Sequence, residues 1–203
     1  LSLKTGDILI VAGKGHEESQ DYGKFKKRFS DRKEILNSIK LKNRTLSDTL
    51  KVNILKEIIN LAYISPQTII RKASINSKEI KRNDIFFAIK GKKNNGNLFV
   101  KEAFDKGAGL AIMSEGKKSK KKIIVKDVLN ILTKASSILR DNLSGKIIAI
   151  TGSCGKTSLK ELIGSSLNKI SQTTYSPKSF NNKFGVPLSL FNLKTNDDFG
   201  IFE

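Results

Sequence analysis

The stretch Ile147-Ile-Ala-Ile-Thr-Gly-Ser-Cys-Gly-Lys-Thr-Ser158 decides the fold of the second half of this 203-residue chain. Its apolar start predicts a buried strand, and its two glycines followed by Lys-Thr predict a tight loop. Apolar residues then recur at positions 159, 162, 163 and 167, a spacing that predicts a helix. A strand, a glycine loop and a helix N-terminus together make a cradle for phosphate groups. The stretch therefore predicts a nucleoside-triphosphate site.

The residue types of this loop indicate separate roles. Glycine lets the backbone approach a phosphate without a Cβ clash. Lys156 is the predicted catalytic residue because its ammonium can meet the outer phosphates, and the Thr157 hydroxyl can ligate Mg²⁺. A common Walker loop would begin with glycine at position 150, where this chain has Ile150. This departure from the usual pattern narrows the subfamily of phosphate-binding loops to which the loop can belong. The predicted ATP contacts are Gly152, Ser153, Cys154, Gly155, Lys156, Thr157 and Ser158.

The composition argues against a nucleic-acid partner despite a net charge of +19. Only six of the 38 basic residues are arginine, whereas surfaces that read bases favour the bidentate fork of arginine. The lysines are spread along the chain, which favours a solvated surface. No apolar run approaches the roughly 20 residues of a membrane span. The single cysteine fits a reducing cytoplasm, and the predicted location is cytoplasmic.

The apolar runs divide the chain into four predicted segments. A strand is expected at 7–12 within residues 1–36, residues 37–50 form a polar linker, and residues 51–143 form a small α/β domain. A Ser144-Gly145 hinge leads into residues 144–203, the beginning of a P-loop mononucleotide-binding α/β domain. Further strands are predicted at 69–70, 85–89, 110–113, 123–125 and 199–203, and helices at 30–39, 52–61, 99–106 and 128–142.

Four stretches of residues 51–203 resemble the Mur ligases, ATP-dependent amide-forming enzymes of peptidoglycan precursor synthesis. The loop Thr151-Gly-Ser-Cys-Gly-Lys-Thr157 is similar to their phosphate loop. The stretch Ser74-Ile-Asn-Ser-Lys-Glu-Ile-Lys-Arg-Asn-Asp-Ile-Phe-Phe-Ala-Ile-Lys-Gly91 resembles their N-terminal domain, which holds the UDP-sugar. Ser179-Phe-Asn-Asn-Lys-Phe-Gly-Val-Pro187 is similar to a segment of the members that add D-alanyl-D-alanine, and Gly200-Ile-Phe-Glu203 to the strand whose glutamate binds Mg²⁺.

Residues 1–36 resemble a different member of the same family. Gly6-Asp-Ile-Leu-Ile-Val-Ala-Gly-Lys-Gly-His-Glu17 and Phe29-Ser-Asp-Arg32 are similar to the C-terminal end of the ligase that adds the third amino acid, usually diaminopimelate. The resemblance implies the tail of a Rossmann-like C-terminal domain, in which Gly13 and Glu17 contact the incoming amino acid. No methionine lies between positions 37 and 73, which favours a fused bifunctional enzyme. A separate start codon or a frame error is the alternative.

The resemblance implies the chemistry of an acyl phosphate. A substrate carboxylate attacks the γ-phosphate of ATP, and an amine then displaces phosphate. Thr157 and Glu203 would hold Mg²⁺, while Asn181, Asn182 and Ser77 would contact substrate. The implied substrates are a UDP-MurNAc-peptide and D-alanyl-D-alanine, with ATP and Mg²⁺ as cofactors.

Two alternatives stay open at this level: a folate polyglutamylation-type ligase, and a lysine-rich nucleic-acid or anion-binding protein with an incidental loop. The chain begins at Leu1, and its only methionine is Met113. We therefore expect an internal fragment that does not catalyse ligation alone, of unknown oligomeric state.

Overall fold

The computed structural model describes Ile10 and residues 18–60, 68–91, 94–176 and 180–203. The chain divides into two compact units, Leu1–Asn43 and Arg44–Glu203. Apart from Ile10, the strand predicted at 7–12 lies outside the described residues. In the first unit, β1 (Ser19–Asp21) and β2 (Lys26–Arg28) form an antiparallel hairpin. The rings of Tyr22 and Phe25 stack across its turn with their centroids 5.1 Å apart.

One long helix replaces the predicted linker. Helix α1 runs without a break over Asp31–Ile59, so the expectation of two helices separated by a linker at 37–50 was wrong in its secondary structure. Residues 37–50 contain neither glycine nor proline, and therefore nothing in them interrupts a helix. Polarity indicated a solvated segment, and most of these side chains are indeed exposed, but it did not indicate a loop.

A four-stranded parallel sheet forms the first half of the second unit. Its strands stand in the order β3-β4-β5-β6, which confirms the strands predicted near 85, 110 and 123. Two helices belong to this half, close to the positions predicted for them. The bounds are β3 Ala73–Ser74, β4 Ile85–Phe87, β5 Leu110–Met113, β6 Lys122–Ile124, α2 Val100–Asp105 and α3 Val128–Asp141.

Both faces of this sheet are buried, as the continuous apolar run in β4 predicts. Successive side chains of a strand point to opposite faces. Ile85 and Phe87 lie in a cluster with α1 and α3, whereas Phe86 packs with Val100 and Ala103 of α2. The sheet is therefore the middle layer of a helix–sheet–helix arrangement.

The strand predicted at Ile69-Ile70 was wrong. Ile70 is fully buried and Ile69 is 48% exposed, but neither lies in a strand. The ladder with β4 begins only at Ala73, which is opposite Ile85. Ile70 thus contributes a side chain to the core without pairing its backbone, which an apolar run alone does not distinguish from a strand.

A three-stranded parallel sheet and two helices form the second half of this unit. The strand order is β7-β9-β8, and the crossovers between parallel strands contain α4 and α5, as this topology requires. The strand and helix predicted on either side of the glycine loop are confirmed, as is the strand ending before Glu203. The bounds are β7 Lys146–Ala149, α4 Lys156–Leu167, β8 Thr173–Tyr175, α5 Gly185–Phe191 and β9 Phe199–Phe202.

The two halves share one hydrophobic core. Leu188 and Phe191 of α5 are buried in the same cluster as Phe87 and Leu132, and the rings of Phe87 and Phe191 meet edge to face at 5.5 Å. The division into domains at residues 143 and 144 stays a prediction. At the expected hinge, a Cβ on Gly145 would overlap the Asp197 carbonyl oxygen, so this glycine permits close packing.

Candidate nucleotide site

The glycine loop lies between β7 and α4 at the carboxyl edge of the three-stranded sheet. Gly155 is the residue before α4 and has φ +76°, and Gly152 has φ +154°. Side chains other than hydrogen strongly disfavour these angles, which explains glycine at both positions. Residues 151–155 are exposed. The loop and the free backbone N–H groups of the first turn of α4 thus face solvent, where an anion can reach them.

Lys156 folds back over this loop. Its Nζ donates hydrogen bonds to the carbonyl oxygens of Gly152 at 2.7 Å and Ser153 at 3.3 Å. The ammonium therefore lies beside the turn that the glycines form. A phosphate bound in the loop would lie next to this ammonium and the α4 N-terminus, so that their positive charges add.

Thr157, Glu203 and Asn181 meet next to the loop. The Thr157 Oγ1 donates to Glu203 Oε2 at 2.7 Å, and the Asn181 Nδ2 donates to Glu203 Oε1 at 2.9 Å. These three residues come from the first turn of α4, the residue after β9 and the loop before α5. The structure thus brings together three residues that the sequence analysis singled out across a separation of 46 positions.

The electrostatics of this group favour a cation. The hydrogen bond from Thr157, and then that from Asn181, hold the pKa of the Glu203 carboxyl below its usual range, and the charge of Lys156 acts in the same direction. Glu203 is therefore ionised at neutral pH. A carboxylate and a hydroxyl are the oxygen ligands that Mg²⁺ prefers, usually with waters and phosphate oxygens completing the shell. The oxygen atoms present fit Mg²⁺.

Asn182 has a structural contact that the sequence analysis did not specify. Its Oδ1 accepts hydrogen bonds from the backbone N–H groups of Phe184 at 3.0 Å and Gly185 at 2.8 Å. It thus fixes the turn into α5, as asparagine commonly does at such positions. A substrate contact by Asn182 stays a prediction. Cys154 and Ser158 are exposed, while the predicted sites Gly13 and Glu17 lie outside the described residues.

The face of α4 that packs on the sheet contains a lysine. Lys160 is fully buried, with its Nζ 3.3 Å from Glu161 Oε1, whereas Leu159 and Leu162 are 47% and 65% exposed. Gly164 lies on the packed face, and an added Cβ there would be 2.7 Å from the Tyr175 ring. Sequence spacing predicted the helix but not which face would be buried.

Ser77 lies at the other sheet. It follows β3, is buried, and donates from its Oγ to Glu102 Oε2 at 2.7 Å. It therefore does not join the group around the glycine loop. Its predicted contact with a uridine nucleotide stays a prediction, and its hydroxyl has a partner within the fold.

A polar network, missed by the sequence analysis, lies at the carboxyl edge of the four-stranded sheet. Asn97 donates to Ser114 Oγ at 3.0 Å and to Asn95 Oδ1 at 2.7 Å, and Asn97 Oδ1 accepts from the Ser114 backbone N–H. Lys90 contacts Glu115 at 2.7 Å. Ligands of parallel α/β sheets bind outside the carboxyl ends of the strands, so position after a strand is the signal that could have found these residues.

The comparisons with known proteins agree with this geometry. Residues 150–203 match the family described as Mur ligase middle domain. The glycine loop from Thr151 onward and Glu203 both lie within this matched segment, which is similar to that domain of the Mur ligases. The chain is 34% identical over 165 residues to the UDP-N-acetylmuramoyl-tripeptide–D-alanyl-D-alanine ligase of Buchnera aphidicola subsp. Baizongia pistaciae, a match covering 76% of this chain and 36% of the relative.

Solved Mur ligase structures support the fold. MurF from Acinetobacter baumannii matches with a TM-score of 0.63 and 28% identity, covering 74% of this chain and 34% of that one. MurF from Thermotoga maritima in complex with ADP matches with a TM-score of 0.55 and 31% identity, covering 66% and 31%. The α/β fold class is thus confirmed. The chain spans about a third of the length of the relatives named so far.

A ligase for another step is also similar to the chain. The UDP-N-acetylmuramoyl-L-alanyl-D-glutamate–2,6-diaminopimelate ligase of Rickettsia montanensis is 42% identical over 107 residues, covering 51% of this chain and 22% of the relative. A match of that length is longer than residues 1–36, so it does not by itself locate the likeness in that segment. The fusion stays a prediction. Within the described part of the chain, no helix is long and apolar enough to cross a membrane.

Proposed function

We propose that this chain is part of a ligase that joins D-alanyl-D-alanine to a UDP-MurNAc-tripeptide through an acyl phosphate. The observation that carries the proposal is the contact of Glu203 with Thr157 and Asn181 beside the glycine loop. The names of the relatives point to the same reaction. Fusion to the diaminopimelate-adding ligase, with Gly13 and Glu17 contacting an amino acid there, belongs to the proposal, as does a cytoplasmic location.

In this proposal the loop binds the triphosphate of ATP. The backbone of Gly152, Ser153, Cys154 and Gly155 lies against the phosphates, and the α4 N-terminus stabilises their charge. Lys156 gives up its hydrogen bonds to the loop carbonyls and donates instead to the phosphoryl group that is transferred. Its positive charge then stabilises the negative charge on the phosphoryl oxygens in the transition state. Thr157 and Glu203 would hold Mg²⁺, which supplies neutralisation of phosphate charge. Ser158 would contact the nucleotide from the first turn of α4.

The UDP-sugar is proposed to lie at the carboxyl edge of the four-stranded sheet. Ser77 and the network of Asn95, Asn97 and Ser114 present hydroxyl and amide groups there, which suit the hydrogen-bonding edges of a uridine nucleotide. Lys90 can turn from Glu115 to a phosphate because both side chains are more than half exposed. Asn181 and Asn182 lie at the other sheet and would meet the peptide end, where the carboxylate reacts.

Nucleotide binding by the chain as it stands tests the proposal. Titration calorimetry with Mg·ATP should show one site. Lys156→Ala should weaken it at least about tenfold, because a charged hydrogen bond to phosphate contributes about 1.5–3 kcal/mol. Lys169→Ala, an exposed lysine after α4, is the matched control and should bind as the parent does. Equal ATP affinity in parent and Lys156→Ala would mean that the loop is incidental.

A second comparison separates the proposal from general anion binding. Glu203→Gln should remove the dependence of ATP binding on Mg²⁺ while binding in EDTA persists, because the substitution removes the charged oxygen ligand. If duplex DNA binds with a steep salt dependence that Lys156→Ala leaves unchanged, and ATP does not bind, the lysine-rich surface is the functional one. We also expect no substrate-dependent ADP release from these residues alone; its detection would contradict the expectation of an inactive fragment.

A further inference from the structure

Asn192 makes a contact that the nucleotide site does not use. Its Oδ1 accepts from the Ala73 backbone N–H at 2.7 Å, and its Nδ2 donates to the Ala73 carbonyl oxygen at 3.0 Å. Ala73 lies in β3, at the edge of the four-stranded sheet. The amide of Asn192 thus pairs with the free edge of that strand as a neighbouring backbone would. The two residues are 119 positions apart.

Asn192 directly follows α5, whose other end begins at the nucleotide site. The loop before α5 contains Asn181, which donates to Glu203, and Asn182, which fixes the first turn. Seven residues of α-helix span about 10 Å. Helix α5 therefore forms a short rod between Glu203 and β3, with an asparagine contact at each end.

The rod is closely packed along its length. Leu188 and Phe191 are buried, and the Pro187 carbonyl oxygen accepts a hydrogen bond from Ser136 Oγ of α3 at 2.7 Å. A Cβ on Gly185 would lie 2.7 Å from the backbone of Phe180. Because closely packed interiors transmit displacement instead of absorbing it, a shift at one end of α5 reaches the other end.

The far end of the rod is next to the proposed UDP-sugar edge. Ala73 is followed by Ser74, whose Oγ accepts from the Asn76 backbone N–H at 3.0 Å. Ser77 comes directly after. The position of Ala73 therefore sets the start of the turn that leads to the predicted uridine contact.

The geometry points to Asn192 as a positioning residue that, through α5, couples nucleotide binding at Glu203 to the backbone of residues 73–77. This inference rests on the proposed function, because it takes the loop as a nucleotide site and the 73–77 turn as part of a substrate site. Movement of the Glu203 carboxylate on nucleotide binding shifts Asn181, then α5, and then the Asn192–Ala73 pair. Through this linkage, nucleotide binding at Glu203 also sets the backbone position of residues 73–77 in the proposed UDP-sugar site.

Amide hydrogen exchange measured by NMR on the whole chain, with and without Mg·ADP, tests this coupling. In the parent chain, Mg·ADP should slow amide exchange both in the glycine loop and at residues 73–77. At residues 73–77 the exchange rate should fall at least about fivefold, because fivefold is the lower end of the usual range of coupling between sites. Asn192→Ala should keep the effect at the loop and lose it at residues 73–77. Asn142→Ala is the matched control, because the Asn142 side chain, directly after α3, donates an exposed hydrogen bond to the Ile138 carbonyl oxygen; this variant should behave as the parent does.

The outcomes separate the inference from the proposed function. No change at the loop in the parent chain would refute nucleotide binding, and the coupling with it. A change at the loop alone refutes only the coupling, as does a change at residues 73–77 that persists in Asn192→Ala. If Asn192→Ala does not fold, Asn192→Asp replaces it: the acceptor for the Ala73 N–H is kept and the donor is lost. Parent-like coupling in Asn192→Asp would overturn the role of the paired contact.

Discussion

Lys51 is a buried lysine whose charge should make the stability of this protein depend on pH. Its side chain is 2% exposed, and its Nζ donates to the Arg71 carbonyl oxygen at 2.8 Å. The Phe191 ring centroid lies 5.8 Å from the ammonium. Burial lowers the pKa of Lys51 from 10.5 to about 8, and the attraction of Asp48 opposes this effect. The nearby charges are those of Asp48, Asp197, Lys194 and Lys72.

The sign follows from the protons bound in each state. Between the folded pKa of about 8 and the unfolded value of 10.5, the unfolded chain holds a proton on Lys51 that the folded chain has lost. The free energy of unfolding therefore rises with pH across that window. From about pH 7 to about pH 10 the increase is about 2.5 kcal/mol, at about 1.4 kcal/mol for each unit of pKa difference. Below that window Lys51 contributes no slope.

Lys51→Met should abolish this contribution. Urea unfolding followed by far-ultraviolet circular dichroism at both pH values gives the two free energies for each protein. The parent should gain about 2.5 kcal/mol more than Lys51→Met between them. Lys134→Met removes an exposed lysine from α3 and should retain the gain of the parent. If Lys51→Met gains as much as the parent, Lys51 does not titrate in this window and the argument from burial is wrong.

Three further perturbations have clear expected outcomes. The Ser189 Oγ is buried without a hydrogen-bond partner in the described structure, so Ser189→Ala should raise the free energy of unfolding by about 1 kcal/mol. Urea unfolding measures this change, and a lower free energy of unfolding would mean that the hydroxyl does have a hydrogen-bond partner. Gly145→Ala should lower it by about 2–3 kcal/mol, because the new Cβ would overlap Asp197, and an unchanged melting temperature would contradict this. Maleimide labelling of exposed Cys154, the only cysteine, should slow about tenfold at Mg·ATP near ten times its Kd; mass spectrometry would show an unaltered rate if the loop does not bind nucleotide.

Local patterns in the sequence were sufficient for the glycine loop and most of the strands. Gly155 has a left-handed φ that few residues other than glycine adopt, so the loop conformation is fixed by its own residues. The apolar run at 85–89 predicted a strand, and the helices on both faces of the parallel sheet explain why that run is continuous. The resemblance to Mur ligases brought Glu203 into the site, where it contacts Thr157. Periodicity alone would have left it an ordinary strand end.

Contacts between distant segments could not be predicted from local sequence patterns. Lysine is rarely buried, and nothing beside Lys51 or Lys160 in the sequence marks them as interior. The side of α4 that faces the sheet is set by Gly164, whose missing side chain admits the Tyr175 ring. That choice left Leu159 exposed. The apolar spacing of α4 therefore predicted a helix correctly but did not show which face would be buried.

The sequence by itself determined the secondary structure around the glycine loop and the α/β class, because these depend on backbone preferences and on periods of two and 3.6 residues. The role of the loop residues in phosphate binding stays a prediction. Tertiary structure alone decided the partner of each polar group: Ser77 with Glu102, Asn182 with the start of α5, Asn192 with Ala73. A polar side chain bonds whichever donor or acceptor the packing of distant elements brings within about 3 Å, and short-range sequence patterns do not encode that packing.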